Sequence, residues 1–367
     1  MTVEPTQTAA VAAARAAFAS ARTARVPNPR PEADALRESY LELLKVCLCD
    51  LQGSSTVSVG RTQEGSVMSR ELRNDQLKLR SAGMDWPLQG LTMVGLGRLD
   101  DLQRCVEAVL DDEVPGDLIE AGCWRGGASI LMRATLDSHG ADDRLLWVAD
   151  SFRGFPQATA LDGDHDDLGA FDFLAVPLDE VRANFARLGC EQNVRFVPGL
   201  FEDTLPELGD RRWAIVRLDG DTYDATWVGL ASLYPGLSVG GHVIVDDYGA
   251  LDECREAVDD FRAAHGVTER LEQVDWTCVR WRRESETAIA PAKPPRAARA
   301  VGQPAAPAGV PRVDSRVPTT EELAMGTRIA ELGERLEAAE REAARLRESP
   351  FAGPAAWLHA RRKGRRL

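Results

Sequence analysis

The sequence predicts an open α/β sheet, mostly parallel, with helices on both faces and one antiparallel strand at its edge. Three observations carry that expectation. From residue 117 onward, short continuous apolar runs alternate with stretches of helical periodicity, the pattern of a parallel sheet covered on both sides. Two of these runs, 215–219 and 242–247, end in acid and flank one helical stretch, 223–234. If they pair as parallel neighbours, Asp219, Asp246 and Asp247 meet at one edge of the sheet. The last two runs, 267–274 and 276–282, follow each other with no helix between them, which makes that end of the sheet antiparallel. Ligands of such a sheet bind beyond the carboxyl ends of its strands.

Taken in order, residues 1–35 are alanine-rich, then proline-rich, and read as a mobile extension. Apolar residues at helical spacing predict a helix over 35–50. The stretch 53–70, rich in Ser, Gly and Thr, reads as a loop. Residues 81–98 combine Gly, Pro, Trp and Met in an irregular segment that either lines a site or is a packed connector, and 99–110 is an amphipathic helix. Then come a strand over 117–122, a helix over 126–139, a strand over 144–150, a helix over 178–188 and a strand over 194–199. A strand over 211–219 and the helix over 223–234 follow, and Pro-Gly and Gly-Gly breaks precede the strand over 242–247. A helix over 252–265 completes the set. The domain therefore spans 36–283. Residues 284–318 are a Pro/Ala-rich linker. In 319–348, Met325, Ile329, Leu332, Leu336, Ala339, Ala343 and Leu346 form a short heptad seam suited to self-association or to docking a partner. A basic tail, 349–367, ends the chain.

A net charge of −14 argues against nucleic-acid binding, which calls for a basic face. Seven scattered cysteines with no CxxC pair and no early apolar signal run fit reduced thiols in a cytoplasm. No apolar stretch reaches the roughly 18 to 20 residues that span a bilayer.

Three constellations carry chemistry. The first is Glu120-Ala-Gly122-Cys-Trp124-Arg-Gly-Gly, which leaves a strand and enters a helix. Its glycines let a ligand approach the backbone, but the spacing is not the G-x-G-x-x-G of dinucleotide sites. An acid at the strand end suits an ammonium group, which S-adenosylmethionine has and a pyrophosphate lacks. The second is Asp150, at the close of the next strand, where a nucleoside ribose is read through its hydroxyls. The third is the trio Asp219, Asp246 and Asp247. Three carboxylates together call for a positive charge between them, and a hard divalent ion such as Mg2+ takes oxygen ligands and leaves positions open for a substrate hydroxyl. Asp219 is then placed to take the hydroxyl proton. The alternative for each is structural: tight packing for the glycines, a turn for Asp150, and helix capping for the trio.

Other motifs fall short. Asp162-Gly-Asp164-His-Asp166-Asp167 begins like a calcium loop, but Asp167 stands where that loop needs Gly and Phe173 where it needs Glu, so the segment reads as an acidic lid. His165 within it reads as an exposed loop residue and His242 as a structural one. No Gly-x-Ser-x-Gly, HExxH or Tyr-x-x-x-Lys pattern stands in a suitable place.

Together, TMVGLGRLDDLQ, EAGCWRGGASI, VADSFRGFP, PLDEVRANF and RLDGDTYDAT with GGHVIVDDYG resemble the macrocin O-methyltransferase (TylF-like) family over roughly residues 38–283. The resemblance implies a class I methyltransferase fold, with a seven-stranded Rossmann-like sheet containing one antiparallel strand. It also implies transfer of a methyl group from S-adenosylmethionine, with magnesium, to a sugar hydroxyl of a natural product; the residues leave a glycan open as the acceptor too. Carried onto this chain, it makes Asp219, Asp246 and Asp247 metal ligands, with Asp219 also the general base. Glu120, Gly122 and Trp124, with Asp150 and Ser151 on the ribose side, become cofactor residues, and Thr92 and Met93 fold over the cofactor. Two competing readings are a nicotinamide-dependent oxidoreductase, which the glycine spacing disfavours, and a non-catalytic assembly protein working through the heptad helix.

Overall fold

The computed structural model describes residues 33–61, 67–155 and 172–286, together with Ile289 and Pro294. The N-terminal extension up to residue 32, most of the expected lid (156–171), nearly all of the linker, the heptad helix and the basic tail lie outside the described residues. The chain begins with helix α1, Ala33–Leu48. Two compact units, Met1–Glu42 and Leu43–Leu367, divide within it, and the sheets and the cleft described below belong to the second.

The stretch expected as a loop at 53–70 departs from that expectation. Ser55–Arg61 (β1) and Val67–Arg73 (β2) pair antiparallel, and β1 also pairs with Trp86–Pro87 (β3) beyond the short helix α2, Leu77–Ser81. The physical reason is Arg80, which is 1 % exposed. Its guanidinium donates to Thr56 Oγ1 at 2.8 Å and Val57 O at 3.1 Å and grips both oxygens of Asp85. The Thr56 hydroxyl, which reads as a loop signal in isolation, is thus satisfied inside a sheet, while Val57 and Val59 supply the β-branched character that favours strand.

Helix α3, Gly95–Asp111, starts four residues before the expected 99. Gly95 makes this possible: its φ is 80° and a Cβ there would lie 2.4 Å from Gly83 N, so only glycine enters the helix this way. The early start places Arg98 on the first helical turn.

The remaining elements alternate as expected: Asp117–Ala121 (β4), Gly127–Ser138 (α4), Leu146–Asp150 (β5), Leu178–Arg187 (α5) and Val194–Pro198 (β6). The short α6, Phe201–Thr204, precedes Trp213–Leu218 (β7), Tyr223–Leu233 (α7), Leu237–Val245 (β8) and Asp252–His265 (α8). Glu272–Gln273 (β9) and Val279–Arg282 (β10) finish the fold. The seven strands stand in the order β6-β5-β4-β7-β8-β10-β9. Neighbours from β6 to β8 are parallel, and β10 runs against both β8 and β9, so a single strand opposes the direction of the rest. Gly240-Gly241 does not break β8 as expected but lies within it, at a register irregularity opposite Trp213 and Ile215. Glycine pairs in strands relieve a bulge as readily as they end pairing.

The period-two pattern of the central strands sorts their side chains. Ile119, Ala121, Trp213, Val216, Leu218, Val243 and Val245 join Trp227, Leu230, Val258 and Phe261 of α7 and α8 in one apolar core. On the opposite face Glu120 of β4 and Arg217 of β7 stand directly across from each other in the ladder. Ser129 of α4 and Arg98 of α3 reach the acids on this face. Two buried charged residues paired across β4 and β7 mark the face that carries the site.

Candidate functional site

One cleft opens at the carboxyl ends of β4, β5, β7 and β8. The expected cofactor residues Thr92, Met93, Glu120, Gly122 and Trp124 line it, with Asp150 and Ser151. So do Asp219, Asp246 and Asp247.

The turn from Glu120 to Gly127 forms the floor. Gly122 has φ 92°, and a Cβ there would lie 1.9 Å from Asp219 O, so glycine is needed to let the ends of β4 and β7 meet. Gly127 N donates to Leu91 O at 2.9 Å. Arg125 Nη1 donates to the carbonyls of Pro87, Leu88 and Gly90. These bonds draw the 86–93 segment over the turn, which places Thr92 and Met93 on the cleft wall. Trp124 Nε1 donates to Phe173 O at 3.0 Å, and Val59 and Trp86 pack with Met93, Phe173 and Leu174 as an apolar side to the cleft.

Asp150 stitches the turn to the next strand. Its Oδ2 accepts from Cys123 N at 2.9 Å and Trp124 N at 3.3 Å, and its Oδ1 accepts from Phe152 N at 2.8 Å. The carboxylate thus orders the glycine turn at the wall of the cleft. Ser151 Oγ donates to Gly154 O at 2.6 Å.

The positive charge that the acids call for is partly supplied by arginine. Arg217 Nη1 donates to Glu120 Oε1 at 2.5 Å and to Asp219 Oδ2 at 3.0 Å, and its Nη2 donates to Asp246 Oδ1 at 2.6 Å. Arg98 Nη1 donates to Asp246 Oδ2, and its Nε stands 3.1 Å from Asp275 Oδ2. Asp246 therefore has both oxygens on guanidinium groups. Burial pushes Glu120 up to about 7 against the pull of Arg217 and a hydrogen bond from Ser129.

Asp247 differs from its neighbour. Its Oδ2 is buried and has no hydrogen-bond partner. One oxygen each from Asp219, Asp221 and Asp247 lie within 4.8 Å of one another. Burial, and then the charges of Asp221 and Asp219, raise Asp247 well above the ordinary carboxylate range, and burial and Asp246 raise Asp219. An orphaned buried oxygen inside a cluster of hard oxygen donors fits a divalent cation such as Mg2+. The compact triplet includes Asp221, which the sequence did not single out, while Asp246 stands beside it on its arginines.

Sequence reasoning missed Arg98, Arg217 and Asp221. Arg217 left a signal, a lone cation within the apolar run WAIVRL, and Asp221 sits two residues beyond Asp219 in the same acidic turn. His242 does not line the cleft: it is buried within β8 beside Arg280, where desolvation lowers it to about 4. His165 and the acidic lid lie outside the described residues.

Residues 37–283 match the family described as macrocin-O-methyltransferase (TylF). The chain is 51 % identical over 217 residues to the 8-demethyl-8-(2,3-dimethoxy-alpha-L-rhamnosyl)-tetracenomycin-C 4'-O-methyltransferase of Streptomyces olivaceus, covering 57 % of this chain and 82 % of that protein. It is 40 % identical over 258 residues to the mycinamicin III 3''-O-methyltransferase of Micromonospora griseorubida, covering 68 % and 97 %. Among solved structures, the O-methyltransferase NovP superposes with a TM-score of 0.61 at 40 % identity, covering 68 % of this chain and 100 % of that one.

Proposed function

The chain belongs to the macrocin-O-methyltransferase (TylF) family and is an S-adenosylmethionine-dependent O-methyltransferase, and from that premise we propose that it methylates a sugar hydroxyl of a glycosylated natural product with the help of Mg2+. The observation that carries the cation is the unpartnered Asp247 Oδ2 beside Asp219 and Asp221. The sugar rests on relatives, one of them named for a rhamnosyl-bearing tetracenomycin. A cytoplasmic setting belongs to the same reading, supported by cysteines that are all unpaired. No helix among the described residues is long and apolar enough to cross a membrane.

When bound, S-adenosylmethionine supplies an electrophilic methyl carbon, and a divalent cation supplies Lewis acidity that lowers a hydroxyl pKa. The chain supplies position and proton transfer. Glu120 would receive the ammonium group, Gly122 keeps the backbone clear, and Asp150 and Ser151 would face the ribose. Thr92, Met93 and Trp124 would enclose the ligand from the apolar side. Asp219, Asp246 and Asp247, joined by Asp221, would hold the cation; Asp246 keeps acceptor capacity beyond what its arginines take. A carboxylate oxygen of Asp219 would take the proton of the attacking hydroxyl. Holding donor and acceptor in line supplies most of the remaining acceleration.

Substituting Asp219→Ala or Asp247→Ala is expected to abolish methyl transfer while calorimetry finds S-adenosylmethionine affinity within a few-fold of the parent. Loss of cofactor affinity equal to the loss of turnover would assign these acids a structural role instead.

A further inference from the structure

We infer that Arg217 is a positioning residue linking the cofactor end of the cleft to its cation end, so that the two positive ligands draw on one shared pool of carboxylate charge. The inference rests on the divalent-cation reading above. Arg217 is held on β7 directly across from Glu120, and its side chain is 3 % exposed. A single nitrogen, Nη1, serves both Glu120 Oε1 at 2.5 Å and Asp219 Oδ2 at 3.0 Å, the first carboxylate facing the ammonium site and the second the cation site. The second nitrogen is committed to Asp246 Oδ1 at 2.6 Å. Neither outer acid is free to turn away, because Ser129 Oγ holds Glu120 Oε2 and Arg98 holds Asp246 Oδ2.

The guanidinium fork is planar and rigid, so a stronger bond to one carboxylate weakens the bond to the other. A cation on Asp219 satisfies that carboxylate and repels Arg217 toward Glu120. Glu120 is then neutralised more fully and holds an ammonium group less tightly. Burial keeps water from screening the effect. Linkage is reciprocal, so the ammonium group weakens cation binding by the same factor.

Calorimetry reads this linkage directly. S-adenosylhomocysteine, which keeps the ammonium group but has no methyl to transfer, is titrated into the full chain after chelation and again with saturating Mn2+. Mn2+ is expected to raise its Kd at least about fivefold, the low end of ordinary coupling between sites. In Arg217→Lys, where a point charge replaces the fork, the ratio of the two Kd values is expected to fall to about one with the far-ultraviolet circular dichroism unchanged. If that variant does not fold, Glu120→Gln removes the other end of the bridge and is expected to bring the ratio to about one in its place. A wild-type Kd that Mn2+ leaves unchanged or lowers overturns the inference, as does a linkage that survives in a folded Arg217→Lys. Absence of any Mn2+ binding overturns both the cation reading and this inference, whereas Mn2+ binding without linkage overturns the inference alone.

Discussion

Asp246 and Asp247 are neighbours in sequence with opposite electrostatic surroundings. Asp246 is clasped by Arg98 and Arg217, so its removal would leave two buried guanidinium groups short of a partner. Breaking buried pairs in this way costs about 3–5 kcal/mol. Asp247 sits among like charges, with one oxygen unpartnered. Chemical denaturation of the cation-free protein is therefore expected to show a large loss of stability in Asp246→Ala and a much smaller change in Asp247→Ala, which leaves no guanidinium unpaired. Similar losses in both would mean that the arginines do not distinguish the two acids. Glu120 gives a second test at the same scale. Its pKa is raised to about 7, chiefly by burial, and an ammonium ligand needs the ionised form. Affinity for S-adenosylhomocysteine should be flat above that pH and fall about tenfold per unit below it. Glu120→Gln should bind more weakly and show no such slope.

Among the elements, the strand ends and the turns between them decide whether the site assembles. Gly122 lets the end of β4 pass against Asp219 O, where a Cβ would stand at 1.9 Å. Gly122→Ala is expected to cost at least about 1–3 kcal/mol from the forced φ alone and to displace Asp219 as well. Thermal melts and cofactor titration read the two effects, and a variant with wild-type stability would show that the turn relaxes freely. The alternation from β4 to β10 was legible because strands buried on both faces read as continuous apolar runs, with acids at the ends of β7 and β8. The hairpin of β1 and β2 was not legible, because the Thr56 hydroxyl and the Val57 carbonyl are satisfied by Arg80, far along the chain from both. The bulge in β8 was hidden for a related reason, since Gly-Gly marks either a break or an irregularity and only the partner strand decides.

At the scale of the molecule, the positions of the site residues were legible but the charges that hold them were not. The motif spacing placed Glu120, Asp150 and the Asp219, Asp246 and Asp247 trio at one sheet edge, and all of them line one cleft. The arginines come from elsewhere: Arg98 is 148 residues from Asp246, and Arg217 is 97 from Glu120. No local pattern announces a pairing at that separation, although a lone arginine in a buried strand is a hint that an acid stands opposite. The resulting network carries more carboxylates than guanidinium groups, a deficit of positive charge that an ammonium ligand and a divalent cation would fill. The most direct measurement is mass-spectrometric detection of methyl transfer from S-adenosylmethionine to a panel of rhamnosylated and related deoxysugar glycosides, made with Mg2+ and again after complete chelation. A product heavier by one methylene on the sugar, formed with Mg2+, lost on chelation and restored by adding Mg2+ back, is the expected result; transfer that continues undiminished after chelation would contradict it.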